Sequence, residues 1–142
     1  MTTELNITNE PSPQPDELAT ARAGLEAYNR QYAPDDAYEP LTLFVRDAHG
    51  TLVGGLLGVF YWSWLYVDIL WLSEEIRAQG YGSRLLAEAE RMAVERGCVG
   101  VQLDTMSFQA LPFYERHGYT VFGALDNFPP GHRKYFLQKP LN

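Results

Sequence analysis

Residues 76–86, Ile-Arg-Ala-Gln-Gly-Tyr-Gly-Ser-Arg-Leu-Leu, place two glycines one residue apart at the onset of a helical pattern. A helix N-terminus leaves its first N–H groups without intrahelical partners and carries partial positive charge. Gly80 and Gly82 lack the Cβ atoms that would keep an anion off that backbone, and Ser83 adds a hydroxyl. Such a stretch can seat a phosphate; the same spacing also serves a plain helix start beside turn glycines. No Gly-Lys-Ser/Thr ending follows, which removes the P-loop, and the three-glycine dinucleotide pattern is incomplete.

A second group with chemical potential is Asp68, the one carboxylate in the apolar stretch from Leu65 to Leu72. An unpaired buried charge is costly, so such a residue is either ion-paired or functional. Strand alternation predicts Tyr66, Asp68, Leu70 and Leu72 on one face. The histidines do less. His49, His117 and His132 have no metal-ligand spacing with another His, Cys or carboxylate, so no metal is expected. Cys98 follows a helix-capping glycine and reads as a small buried residue rather than a nucleophile.

The elements that must position these groups follow from periodicity. A short strand is expected at Leu5–Ile7, then a Pro-rich loop over 9–16, and a helix from Glu17 to Tyr32 carrying Leu18, Ala21, Leu25 and Tyr28. Strands are expected at 41–46 and 51–61, joined by a turn at Asp-Ala-His-Gly, and at 65–72, where a nearly continuous apolar run suggests burial on both faces. Gly54, Gly55 and Gly58 point to a bulge or close backbone approach in the second of these. A helix over 81–96 has an apolar stripe in Tyr81, Leu85, Ala89 and Met92, flanked by Leu86 and Ala93. Arg84, Glu88, Arg91 and Glu95 form an ion-pair ladder on its other face, and Gly97 closes it. A strand at 99–105, a short helix over 110–117 stopped by Gly118, and strands at 119–125 and 134–139 complete the chain.

Composition narrows the classes. The 142 residues suit a single domain, with 1–15 as a polar N-terminal segment, and one cysteine excludes an internal disulfide framework. The net charge of −7 disfavours nucleic acid, which demands clustered Lys and Arg. No stretch approaches the ~18 apolar residues of a membrane span, and no secretory signal pattern opens the chain, so a cytoplasmic location without membrane partners is expected.

Two motifs carry a family resemblance. Arg77-Ala78-Gln79-Gly80-Tyr81-Gly82 matches the Arg/Gln-x-x-Gly-x-Gly/Ala signature of the GNAT acetyltransferases. Downstream, Ala110-Leu-Pro-Phe-Tyr-Glu-Arg-His-Gly-Tyr119 resembles that family's Ala-x-x-Phe/Leu-Tyr-Glu-Lys/Arg-x-Gly-Phe/Tyr element. The resemblance runs from about residue 41 to the C-terminus and implies an α/β (α+β) fold with a mixed, mostly antiparallel central sheet flanked by helices. That sheet would splay between its fourth and fifth strands, at 65–72 and 99–105. It implies acetyl-CoA in the splay, with the pyrophosphate on backbone around Gln79, Gly80, Gly82 and Ser83, and the pantetheine arm along Leu70 to Leu72. Arg77 holds the motif's first position. Tyr114 matches the tyrosine whose phenol reaches the CoA sulfur and would act as general acid. Asp68 is a base or amine-orienting residue in this reading, and a structural ion pair in the plainer one. Ser107 stands where many relatives carry Asn, and would bond the cofactor or cap a helix.

The function so implied is acetyl transfer from acetyl-CoA to a primary amine of a small molecule or peptide, by direct attack in a ternary complex. A non-catalytic acyl-CoA-binding module of the same fold is the alternative, and a structural partner protein with an aromatic interface a third. The aromatic run Phe60-Tyr-Trp-Ser-Trp-Leu-Tyr66 is either core and interface packing or an acceptor wall, with acids from Pro34 to Glu39 at its rim and His132 nearby. The sequence leaves a homodimer open.

Overall fold

The computed structural model describes residues 3–142. The chain divides into two compact units, one ending at Asp35 and one running from Asp36 to Asn142. The first holds helix α1, Pro15–Asn29. Pro15 occupies the first helical turn, where its missing N–H removes no helical bond. The Glu17 carboxylate accepts from the Gln14 N–H at 3.1 Å and satisfies a donor the helix cannot. The strand expected at Leu5–Ile7 does not form. A segment this short makes too few ladder bonds to offset its ordering entropy.

The second unit is built on a six-stranded sheet: β1 Glu39–Arg46, β2 Leu52–Tyr61, β3 Trp64–Leu72, β4 Gly100–Met106, β5 Thr120–Asp126 and β6 Arg133–Pro140. The spatial order is β1-β2-β3-β4-β6-β5, antiparallel throughout except for the parallel pair β3–β4. That exception has a cause. Between β3 and β4 the chain makes a crossover through α2, Tyr81–Glu95, which returns it to the same end of the sheet. A short helix α3, Leu111–Arg116, links β4 to β5.

The α2 stripe packs on the sheet as its periodicity requires. Leu85, Leu86, Ala89 and Ala93 are buried against Leu65, Val67, Val101, Leu103 and Leu137. On the solvent face Arg91 pairs with Glu88 at 2.5 Å and Glu95 at 2.9 Å, while Arg84 lies over the Tyr81 ring. Gly97 takes φ +76° at the helix end, and Cys98 behind it is buried, as expected. One buried polar knot ties α2 to the far strands. Glu90 accepts from the Tyr119 hydroxyl at 2.7 Å and from Lys139 Nζ at 2.8 Å.

Candidate active site

The parallel ladder between β3 and β4 is short. It runs from Trp64 opposite Gly100 to Val67 opposite Leu103 and then stops. The expected splay is therefore present, between strands that are third and fourth once Leu5–Ile7 is removed from the count. Its cause lies on the other side of β3. Leu57 faces Ile69 and Gly58 faces Val67, so Asp68 is an extra residue, a bulge that bends the strand. A Cβ on Gly58 would sit 2.5 Å from the Tyr66 carbonyl oxygen, so this approach requires glycine.

The bulge corrects two expectations. Regular alternation would put Tyr66, Asp68, Leu70 and Leu72 on one face, but alternation resets at Asp68. Leu65 and Val67 are buried before it; after it Leu70 and Leu72 turn inward while Ile69 and Trp71 are exposed. Asp68 itself is exposed, so the cost of a buried charge does not apply to it. Among the described residues it forms no ion pair, and β3 is not covered on both faces along its length.

Past Val67 the β4-facing edge of β3 borders a cavity of about 690 Å³. Asp68, Leu70 and Leu72 line one wall; Asp104, Phe113 and Tyr114 line the opposite one, and Arg77 and Gly82 close one end. Tyr114 is 6% exposed, and among the described residues its hydroxyl has no hydrogen-bond partner. Burial, with the Asp104 charge adding to it, pushes its phenol up to about 12. It is thus held in the protonated, donating form at neutral pH.

The loop and α2 start form a backbone concavity. Ala78 and Gly80 both take positive φ, +61° and +86°. The first helical bond runs from the Arg84 N–H to the Gly80 carbonyl, which leaves the N–H groups of Tyr81, Gly82 and Ser83 without helical partners. Side chains of the motif hold the loop rather than extend from it. Arg77 Nε donates to the Leu72 carbonyl at 3.0 Å, and Gln79 Nε2 to the Glu75 carbonyl at 2.8 Å. Ser83 Oγ lies 2.9 Å from His117 Nε2, and the Phe113 ring stands 3.4 Å from where a Gly82 Cβ would be. Helix α3, and Tyr114 with it, is therefore seated directly on the start of α2.

Ser107 is not brought to the cavity. Its Oγ accepts from the Arg133 N–H at 3.1 Å and lies 3.4 Å from His132 Nδ1, a brace between β4 and β6. Part of the aromatic run is likewise used elsewhere: Trp64 covers Gly100, and Tyr61 accepts from Gln102 at 3.4 Å. Asp36 accepts from the Tyr38 N–H within its own turn. What sequence reasoning missed is Asp104. Tyr66 donates to its Oδ2 at 3.0 Å and Lys134 Nζ lies 3.9 Å from Oδ1. Burial, then the hydrogen bond to Asp104, pushes the Tyr66 phenol up to about 12. The signal was available, since Asp104 is a lone carboxylate in an apolar strand, as Asp68 is.

The sequence profile of the acetyltransferase (GNAT) family matches residues 5–119. The chain belongs to that family. A blasticidin-S acetyltransferase of Streptomyces morookaense is 46% identical over 93 residues, 65% of this chain and 68% of that protein. An acetyltransferase of Agrobacterium fabrum is 38% identical over 118 residues, 83% and 86% of the two chains. The crystal structure of an acetyltransferase from Bacillus cereus superposes with a TM-score of 0.84 at 34% identity, covering 94% of this chain and 98% of its own. This GNAT chain is accordingly an acetyltransferase, and the described residues contain no helix long and apolar enough to cross a membrane.

Proposed function

We propose that this GNAT enzyme transfers the acetyl group of acetyl-CoA to a primary amine of a small molecule. The observation that carries the reading is the splay. Where β3 loses β4, a free strand edge, the start of α2 at Gly82 and the unpartnered Tyr114 hydroxyl border one cavity. Those groups suit acetyl-CoA part by part. The edge from Ile69 to Leu72 offers N–H and C=O groups to an amide-bearing arm, as an added strand would. The N–H groups of Tyr81, Gly82 and Ser83 suit a pyrophosphate, and a Cβ at position 82 would come into van der Waals contact with Phe113.

Bound acetyl-CoA supplies the acyl group as a thioester. An amine nitrogen attacks the carbonyl carbon, the C–S bond breaks, and the sulfur leaves with the electron pair. Tyr114 donates a hydrogen bond to that developing thiolate. Its phenol near 12 is a weaker acid than a thiol at ~8.5, so stabilisation by a hydrogen bond is favoured over complete proton transfer. A backbone N–H near Leu72 polarises the carbonyl, and Asp68, on the cavity wall, takes the proton the nitrogen sheds.

A relative sharing 46% identity is named for blasticidin S, so small antibiotic amines belong in the substrate screen. The test is free-thiol release across a panel of amines, run beside Tyr114→Phe and a thermal shift with acetyl-CoA. A ligand at 100 times its Kd stabilises by ~2.7 kcal/mol, a shift easily read. The expected result is a clear shift and turnover that falls at least 10-fold in Tyr114→Phe, the low end of what a positioned proton donor contributes. No shift with millimolar acetyl-CoA refutes the cofactor assignment, and equal turnover by the variant removes Tyr114 from the chemistry.

A further inference from the structure

We propose that Asp104, held by Tyr66, is the residue that receives the acceptor's ammonium group, and that with Asp68 it selects cationic amines over zwitterionic ones. This rests on the acetyl-transfer reading above and goes beyond it in naming the acceptor subsite. Asp68 and Asp104 stand on opposite walls of the same cavity, one on the bulge of β3 and one on β4. Asp68 lies two residues along β3 from Tyr66, whose hydroxyl is bonded to Asp104, and both carboxylates line the cavity. Tyr66 donates to Oδ2 of Asp104, so that carboxylate has a fixed orientation with lone pairs left over.

The surroundings neutralise this pair only in part. Lys134 approaches Asp104 no closer than 3.9 Å, and its ammonium lies 4.6 Å from the Phe128 ring centre and 5.1 Å from that of Phe136. Asp68 has no ion pair among the described residues. Arg77, the other charged side chain on the cavity, is turned to the Leu72 carbonyl. Two carboxylates thus border one cavity beside a single ammonium, that of Lys134, which pairs with Asp104 alone. An independent observation marks the same space as a ligand site: the Tyr114 hydroxyl, on a residue 6% exposed, opens into it unpartnered. Tyr114 and Asp104 line the same cavity, so the group that would face sulfur and the group that would hold nitrogen share one space. A cationic amine completes the charge balance. An acceptor carrying its own carboxylate brings a third negative charge to the pair.

The test uses the full chain with acetyl-CoA and three four-carbon amines of matched length: 1,4-diaminobutane, n-butylamine and 4-aminobutyrate. The expected order of kcat/KM is diamine, then monoamine, then amino acid. In Asp104→Asn, KM for the diamine should rise roughly 10- to 100-fold, the worth of one charge-assisted hydrogen bond, and the preference should shrink. KM for acetyl-CoA should stay unchanged. Tyr66→Phe should raise the amine KM several-fold while leaving kcat near wild type, a split that general loss of structure would not produce. Equal KM values in Asp104→Asn, or a preference for 4-aminobutyrate, would overturn the inference. So would an enzyme that binds acetyl-CoA by thermal shift yet acetylates none of the three. Absence of any acetyl-CoA shift would instead defeat the acetyl-transfer reading itself.

Discussion

Replacing Gly58 by alanine tests whether the bulge at Asp68 creates the site. The added Cβ would lie 2.5 Å from the Tyr66 carbonyl oxygen and 3.4 Å from a Leu65 methyl. Since real Cβ atoms rarely come closer than 3.4 Å, the carbonyl must retreat by 3.4 minus 2.5, or 0.9 Å. The obstacle is main chain on a central strand, paired to β2 on one side and β4 on the other, so no side-chain rotation relieves it. Overpacking of this kind costs ~1–3 kcal/mol, and a backbone obstacle belongs at the upper end. At ~3–5 °C per kcal/mol for a domain of this size, the melting temperature should fall by about 10 °C. Gly123→Ala is the control, because its nearest neighbour would be a Phe136 ring atom at 3.8 Å and its backbone needs no positive φ. That variant should melt within ~2 °C of wild type. Thermal melts with and without acetyl-CoA give both readouts, and the ligand-induced shift should shrink in Gly58→Ala alone. A Gly58→Ala protein that melts with the control and keeps the full shift would refute the argument.

Three further outcomes follow from contacts described above. Glu90→Ala strands the Tyr119 hydroxyl and the Lys139 ammonium together, and should lower stability by ~1–3 kcal/mol in urea titration, with KM for acetyl-CoA unaffected. Ser83→Ala removes the 2.9 Å contact with His117 that fastens α3 to the start of α2, and should raise KM for acetyl-CoA several-fold with less than ~1 kcal/mol lost in stability. The alkaline limb of stability should be steep. The phenols of Tyr66, Tyr114 and Tyr119 are all raised above the ordinary 10 in the folded state, chiefly by burial. Groups with raised folded values contribute fully below pH ~10, and that contribution is lost as pH rises toward ~12. Melting temperature should be level with respect to these phenols from pH 7 to ~9.5 and drop between ~10 and ~12. A flat profile through that upper window would contradict the burial of the three hydroxyls.

Much of this was legible because it depends on neighbours in sequence. The α2 stripe recurs every three or four residues, and Leu85, Leu86, Ala89 and Ala93 of it are buried, while Tyr81 at its start is only half-buried and lies beneath Arg84. The backbone concavity at the start of α2 was readable from Gly80, Gly82 and Ser83, since a helix start supplies its own N–H donors wherever it occurs. The bulge was half legible. Glycines at 54, 55 and 58 announced a close approach, but which residue of β3 would be extruded depends on the register of β2 against β3. Period-two alternation has no means of anticipating a one-residue slip, and a slip reverses every side chain beyond it. Asp104 was missed for a related reason. Its partner Tyr66 lies 38 residues away, and the two meet only because a parallel crossover sets Tyr66 beside Gln102.

The short parallel ladder explains why chemistry collects where it does. A strand paired on both sides has no backbone groups to offer a ligand, and one unpaired along its whole length invites association with other chains. Here β3 is paired on both sides through Val67 and on one side from Asp68 onward. Five residues, Asp68 to Leu72, therefore present a strand edge inside a cavity rather than at the rim of the sheet. The backbone donors of α2 lie at one end of that edge, and the carboxylates of Asp68 and Asp104 at the other. The cavity is thereby polarised along its length, suited to a phosphate at one end and a cation at the other. Deleting Asp68 would remove the extruded residue and restore regular alternation. Val67, Ile69 and Leu70 would then alternate without interruption and keep their faces, so what is lost is the bend and the Asp68 carboxylate, which predicts weakened acetyl-CoA binding and amine recognition in a chain that still folds.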